Sequence, residues 1–240
     1  MELIRFEIFS AYYKLKKEYA VGLDKISLTV SEGEFLVIVG PSGCGKTTLL
    51  KCLLGMVSLT DGTLLYEGEP AEQMKVGEKS FAYVSQDYSL YPQMTVYENI
   101  AFPLRMLHVP HKEVDQRVKE MAKLLEIDWL LSRKPKQLSG GQHQRVAIAR
   151  ALVKNPRVVL FDEPFSNMDP ELRLQLRQLV KTIHAAQRPT ILFVTHDLSE
   201  AMMLAERIVV MNQGEIVETG TPEQLEEAPR SAFTRRFFGK

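Results

Sequence analysis

Gly40-Pro41-Ser42-Gly43-Cys44-Gly45-Lys46-Thr47 fits the pattern G-x-x-x-x-G-K-S/T, the form taken by a loop that cradles phosphate groups. An apolar run at 35–39 precedes it, and Thr48 begins a stretch of helical propensity, so the loop is expected to join a strand to a helix. Glycines there let backbone N–H groups turn toward phosphate oxygens, and the helix N-terminus adds the positive end of its dipole. Lys46 is placed to reach the β- and γ-phosphates of a nucleoside triphosphate. Thr47 offers a hydroxyl to Mg²⁺, a cation that takes oxygen donors and keeps part of its water shell. A chance match to the four fixed positions is on the order of one in a hundred for a chain of this length.

A second group, Val158-Val159-Leu160-Phe161-Asp162-Glu163, is an apolar strand ending in two carboxylates. Neighbours on a strand point to opposite faces, which predicts a division of labour. Asp162 holds the Mg²⁺, and Glu163 polarises the water that attacks the γ-phosphate. The plain alternative, two acids that merely end a buried strand, loses weight once the phosphate loop is present in the same chain.

These groups need a scaffold, and the apolar runs supply one. Strands are expected at 26–30, 35–39, 81–84, 158–161, 191–195 and 208–211, alternating with helical patterns as in an α/β protein with a largely parallel sheet. Short antiparallel strands are expected at 63–66 and 215–218. Between 92 and 155 no strand pattern occurs, while Val114, Val118, Met121 and Leu125 repeat at helical spacing. The expectation is one domain over 1–240: a catalytic core from 1–91 and 156–222, a helical subdomain at 92–155 and a helical tail at 223–240.

Composition narrows the classes. Thirty basic and thirty acidic residues give a formal net charge of zero, which argues against nucleic acid as the main partner. No apolar run approaches the roughly 18 residues that cross a bilayer, and residues 1–10 lack the apolar core of a signal peptide, so a cytoplasmic chain is expected. The two cysteines, Cys44 and Cys52, form neither a disulfide framework nor a zinc pattern, and Cys44 is read as a small buried residue rather than a reactive thiol.

The string Leu138-Ser139-Gly140-Gly141-Gln142 carries the most specific signal. Physically it is a Ser and two glycines opening a helix whose buried side bears Val146 and Ala149, a second anion-binding helix N-terminus. LSGGQ resembles the signature of the ATP-binding cassette family, specifically the nucleotide-binding subunits of ABC transporters. The resemblance implies a P-loop NTPase core of the RecA-like kind, with an N-terminal antiparallel β subdomain and an inserted α-helical signature subdomain. It also implies that Ser139, Gly140, Gly141 and Gln142 act in trans, closing on ATP held by a second ATPase subunit in a homodimer or heterodimer.

Further motifs follow in the family's order. Tyr13 resembles the aromatic that stacks on adenine, with Tyr12 and Tyr19 close enough to leave the register open. Gln86 matches the glutamine that contacts Mg²⁺ or the attacking water beside the surface that docks the membrane partner. Ser166-Asn167-Met168-Asp169 stands where the family has SALD; the middle pair departs, while Ser166 and Asp169 remain. His196 has the spacing of the histidine that hydrogen-bonds the γ-phosphate and steadies Glu163. His108, His111, His143 and His184 are read as surface or structural.

The stretch from Leu90 to Leu104 is similar to importer-type ATPase subunits, where this region forms the cleft for a permease helix. The implied partners are therefore transmembrane permease subunits and, in some systems, a solute-binding protein, with this chain peripheral on the cytoplasmic face of the membrane. Sugar-type importer subunits continue into a regulatory domain after a segment like 229–239, which leaves open a short group or a shortened chain. The rival reading is an ABC ATPase outside transport, such as one serving iron–sulfur assembly; the importer-like segment argues against it. Choice of solute belongs to the permease, and no residue here reports it.

Overall fold

Every residue of β3 (Phe35–Val39), β7 (Val158–Asp162) and β8 (Thr190–Thr195) is buried, the mark of central strands covered on both faces. Their side chains alternate between two cores. Val37, Val39, Phe161 and Phe193 face one, and Leu36, Ile38, Leu160 and Val194 face the other. The computed structural model describes residues 1–14, 19–71, 73–74, 80–166 and 168–239, leaving out the side chains of residues 13, 14 and 19–21.

These strands belong to a six-stranded sheet of order β10-β9-β3-β8-β7-β6, completed by β6 (Phe81–Val84), β9 (Arg207–Asn212) and β10 (Glu215–Gly220). All neighbours are parallel except β10, which runs antiparallel to β9 at the edge. The first core lies between this sheet and the helices α2 (Val96–Met106), α3 (His111–Leu124), α4 (Gly140–Leu152), α5 (Pro170–Gln187) and α6 (Leu198–Leu204). Residues 92–155 hold α2 to α4 and, among the described residues, no strand. Ile100, Val118 and Ile148 from these helices share one cluster with Val37 and Phe161 of the sheet, so helices and strands are stabilised together.

The second core lies under a four-stranded antiparallel sheet of order β2-β1-β4-β5, built from β1 (Glu2–Lys14), β2 (Tyr19–Ser31), β4 (Asp61–Tyr66) and β5 (Glu69–Pro70). Here the structure corrects two readings. The run at 26–30 is part of the long β2, paired antiparallel to β1, not a member of the parallel sheet. The strand β1 escapes the sequence reading because a bulge breaks its alternation: Phe6 and Phe9 are both buried, three apart, while Ile8 between them is exposed with φ of 46°. The phosphate loop and α1 (Lys46–Leu53) are held between the two sheets, with Leu49, Leu50 and Leu53 in the second core. At the C-terminal end, α7 (Pro222–Glu227) and α8 (Ala232–Phe237) follow, and Phe233, Phe237 and Phe238 pack onto the first core.

Candidate functional site

The loop 40–45 leaves the end of β3 and turns into α1 through Gly45, whose φ of +106° is closed to other residues; a Cβ there would also press into the carbonyl oxygen of Gly22. Pro41, Ser42 and Gly43 are exposed, Gly40 and Cys44 are buried at the base, and Thr48 is buried in the first turn of α1. Lys46 is only 4% exposed, and its ammonium donates to the carbonyls of Gly40 (2.8 Å) and Pro41 (3.0 Å). Its ammonium also lies 4.0 Å from Cys44 Sγ, and among the described residues no carboxylate pairs with it, so an anion bound at the loop would supply the missing counter-ion. Burial pushes the Cys44 thiol above its ordinary value and Cys52 up to about 12, so neither is a thiolate at neutral pH.

Thr47 Oγ1 donates to Asp162 Oδ1 at 2.7 Å, joining the first residues of α1 to the end of β7. The other carboxylate oxygen, Oδ2, accepts from the Tyr83 hydroxyl at 2.9 Å. Burial, then the neighbouring Asp162 charge, raises the Tyr83 phenol above its ordinary value and keeps it protonated. Thr47 and Asp162 form a pair of hard oxygen donors with the phosphate loop alongside. This donor set fits Mg²⁺, whose remaining positions go to waters and phosphate oxygens.

Glu163 differs from the expectation in how it is aimed. The strand ends at Asp162, and Glu163 lies beyond it with φ of +46°, its N–H donating to the Val194 carbonyl at 3.0 Å. The division between the two acids therefore comes from a left-handed turn rather than from strand alternation, a conformation that costs on the order of 1–3 kcal/mol in a non-glycine residue and clusters at functional sites. The turn brings Glu163 Oε2 to 3.0 Å from His196 Nδ1. Its side chain is 17% exposed against 54% for His196, so the pair lies at the rim of the site.

His196 is carried by a heavily braced turn. Thr195 Oγ1 donates to buried Glu200 Oε2 (2.6 Å) and accepts from the Asp197 N–H (3.0 Å), and Arg177 bridges Glu200 (3.0 Å) and Asp197 (2.9 Å). Arg173 also reaches Asp197 (3.2 Å) and donates to the Met168 carbonyl (3.0 Å). For Asp197, burial works to raise the carboxyl pKa, but hydrogen bonds from Ser199 and the Arg177 charge outweigh it and hold it below the ordinary value.

The signature residues occupy another surface. Ser139 caps α4, accepting from the Gln142 N–H, while Gln142 Oε1 accepts from the Ser139 N–H at 3.0 Å. Ser139 and Gly140 are exposed; Gly141 is buried where a Cβ would collide with the Leu172 side chain. Asp169 caps α5 by accepting from the Leu172 N–H at 3.0 Å. Among the described residues the signature makes no hydrogen bond to the phosphate loop. Its link to the carboxylate turn runs through buried Gln144, whose amide donates to the Pro164 carbonyl.

Gln86 is exposed and donates to Ser166 Oγ at 3.4 Å, not to Thr47 or Asp162. The stacking assignment to Tyr13, like its alternative Tyr19, falls on side chains outside the described residues; Tyr12 commits its hydroxyl to Asp24 at 2.9 Å. Sequence reasoning misses Tyr83, Gln144 and the arginine brace. Only Gln144 left a signal, a polar residue four before Ile148 on the buried stripe of its helix.

Comparison with known proteins agrees with this geometry. The model of the family described as ABC transporter matches residues 23–166. The sn-glycerol-3-phosphate import ATP-binding protein UgpC of Bordetella avium is 46% identical over 232 residues, covering 95% of this chain and 64% of that protein. Its namesake from Rhizobium meliloti is 47% identical over 214 residues, with coverages of 89% and 61%, so the chain spans less than two thirds of these relatives' length. Among solved structures, a dimeric ATP-binding cassette in a post-hydrolysis state bound to ADP and Pi is 31% identical with a TM-score of 0.83, over 92% of this chain and 99% of that one. A structure of cbiO1 from Clostridium perfringens, part of the ABC transporter complex cbiONQ, is 27% identical with a TM-score of 0.83, covering 93% and 90%. With the family model matching well over half of its length and relatives this similar across nearly all of it, the chain belongs to the ABC transporter family.

Proposed function

We propose that this chain is an ATP-hydrolysing subunit that powers solute import through separate permease subunits, working as a pair of cassettes peripheral to the membrane. The observation that carries the reading is the separation of two phosphate-binding helix ends in one chain. Residues 40–48 stand with Thr47, Asp162, Glu163 and His196, while Ser139 to Gln142 form an exposed cap elsewhere. A second copy facing the first head to tail completes each site, and the dimeric cassette among the similar solved structures supports that arrangement.

In this reading Lys46 turns from the Gly40 and Pro41 carbonyls to the β- and γ-phosphates, and the N–H groups of the loop take the remaining oxygens. Thr47 and Asp162 hold Mg²⁺, which when bound neutralises phosphate charge. Gln86 joins the water network at the γ-phosphate. Glu163 accepts the proton of the attacking water, and His196 keeps that carboxylate aimed while contacting the γ-phosphate. Ser139, Gly140 and Gly141 of the opposing copy present hydroxyl and N–H donors to the transferring phosphate, and Asp169 lies where the copies communicate. Tyr13 stacks on the adenine.

The permease docks in a groove of about 370 Å³ at the edge of β6, lined by Phe81, Tyr91, Phe102, Met106 and Leu107 with Arg150 and Lys154. Met106 and Leu107 are 61% and 58% exposed, an apolar rim suited to a helix laid in a groove. Importer names among the relatives support the direction of transport.

The deciding experiment is phosphate release by Glu163→Gln. Turnover should fall by roughly 10²–10⁴, the usual contribution of a general base, while ATP still binds and drives a stable dimer. Undiminished turnover would remove Glu163 from its role.

A further inference from the structure

We propose that Tyr83 is a positioning residue for the metal: its phenol fixes the Asp162 carboxylate in the orientation that receives Mg²⁺ together with ATP. The inference rests on the ATPase reading above and assigns a function to a residue that no motif marks.

Asp162 is 5% exposed, and its two oxygens have different partners. Oδ1 accepts from Thr47 Oγ1 on α1, and Oδ2 accepts from Tyr83 on β6. A carboxylate turns readily about its terminal bond. One hydroxyl donor per oxygen, arriving from two separate elements, stops that rotation and fixes the plane of the group. The strand register makes the reach possible. Tyr83 lies beside Leu160 on the parallel neighbour β7, and Leu160 and Asp162 share a face of that strand, so the ring extends two residues along it to the carboxylate.

Thr47 has one proton and two lone pairs. It can donate to Oδ1 and still offer oxygen to a metal. The phenol takes Oδ2 in the same way, leaving the outward lone pairs of Asp162 for the waters of the metal shell. The ring also packs on the second core, so replacing Tyr83 by Phe removes the hydrogen bond while the packing stays.

The test is equilibrium binding of ATP to the full chain carrying Glu163→Gln, with and without Tyr83→Phe, in excess Mg²⁺ and in EDTA. A hydrogen bond to a charged group predicts about tenfold weaker binding of ATP with Mg²⁺ in the Phe variant, and affinities within about twofold in EDTA. Equal affinity under both conditions would overturn the proposal, as would an equal loss under both, since that loss would come from packing. A collapse of the unfolding midpoint in Tyr83→Phe would likewise assign the phenol to the fold. ATP binding absent from the parent chain under both conditions would instead refute the ATPase reading, and the role of Tyr83 with it.

Discussion

The two helix ends proposed to meet phosphate are built in opposite ways. The loop before α1 uses glycine conformations closed to other residues, buries its lysine and ties its threonine to a carboxylate on a neighbouring strand. The cap of α4 uses ordinary backbone angles, leaves Ser139 and Gly140 exposed, and pairs the N–H groups of Ser139 and Gln142 with each other's side chains. A loop that must grip phosphate within its own chain is preorganised by that chain's core. A helix end that completes another chain's site, as proposed for the α4 cap, needs only an open face and a rigid base, which Gly141 against Leu172 and Gln144 against Pro164 would supply.

The largest expected effect on this contrast is at Gly45. An alanine there must adopt φ near +106° and place its methyl against the Gly22 carbonyl, a backbone atom that cannot step aside. Strain and overpacking together should cost about 3 kcal/mol of stability and abolish ATP binding. Denaturant unfolding alongside nucleotide titration checks both, and a stable Gly45→Ala chain that binds ATP would break the claim that the first end depends on its glycine geometry.

The same contrast explains what could be read before folding. Residues 40–47 and 138–142 are local: each is a continuous string whose spacing reports a strand-loop-helix or a cap. Most core strands are legible for the same reason, as continuous apolar runs. Strand β1 is not, because its bulge at Ile8 shifts the alternation partway along. The aim of Glu163 depends on a left-handed turn that no neighbouring glycine announces. Contacts such as Tyr83 with Asp162, or Arg177 with Asp197 and Glu200, join residues 20 to 79 positions apart and leave no periodic trace.

Gly141 should show an intermediate effect. A methyl there meets the end of the Leu172 side chain, which is half-buried and able to turn, so Gly141→Ala is expected to cost about 1–2 kcal/mol. Shortening the partner is the sharper measurement. If the glycine is needed for this contact, Leu172→Ala combined with Gly141→Ala should be more stable than the sum of the single changes predicts.

A smaller effect appears on acidification. The Asp197 carboxyl lies below its ordinary value of 3.8 in the folded chain, so the unfolded chain binds its proton first as pH falls. Its contribution is fully present above that ordinary value and is lost as pH drops through the lower folded value. The side chain is 24% exposed, which limits the pH-dependent part to about 1 kcal/mol or less. Urea unfolding between pH 7 and pH 3 should show the advantage of the parent over Asp197→Asn shrinking only in the acid limb. An advantage constant across that range would remove the Arg177 and Ser199 contacts as its cause.

The smallest effect on the single chain, and the most informative about the second helix end, is expected at Gly140. It is exposed, its backbone angle is ordinary, and a Cβ there meets nothing within 4 Å. Alanine at the first position of a helix loses no packing and reduces the entropy of the unfolded chain, so stability should change by no more than about 0.5 kcal/mol. ATP affinity of the isolated chain should not change either, because residues 40–48 are untouched. What the methyl obstructs is close approach of the helix N-terminus to a phosphate held by another copy, so turnover should fall while unfolding and monomer binding stay level. Measuring turnover in mixtures of Gly140→Ala with Lys46→Ala separates the halves: a mixed pair retains at most one site with both ends intact, and activity above either variant alone places the two ends on different chains. If Gly140→Ala weakened binding in the isolated chain as much as it slowed turnover, the second end would be acting on its own nucleotide, and the division of the site between two copies would fail.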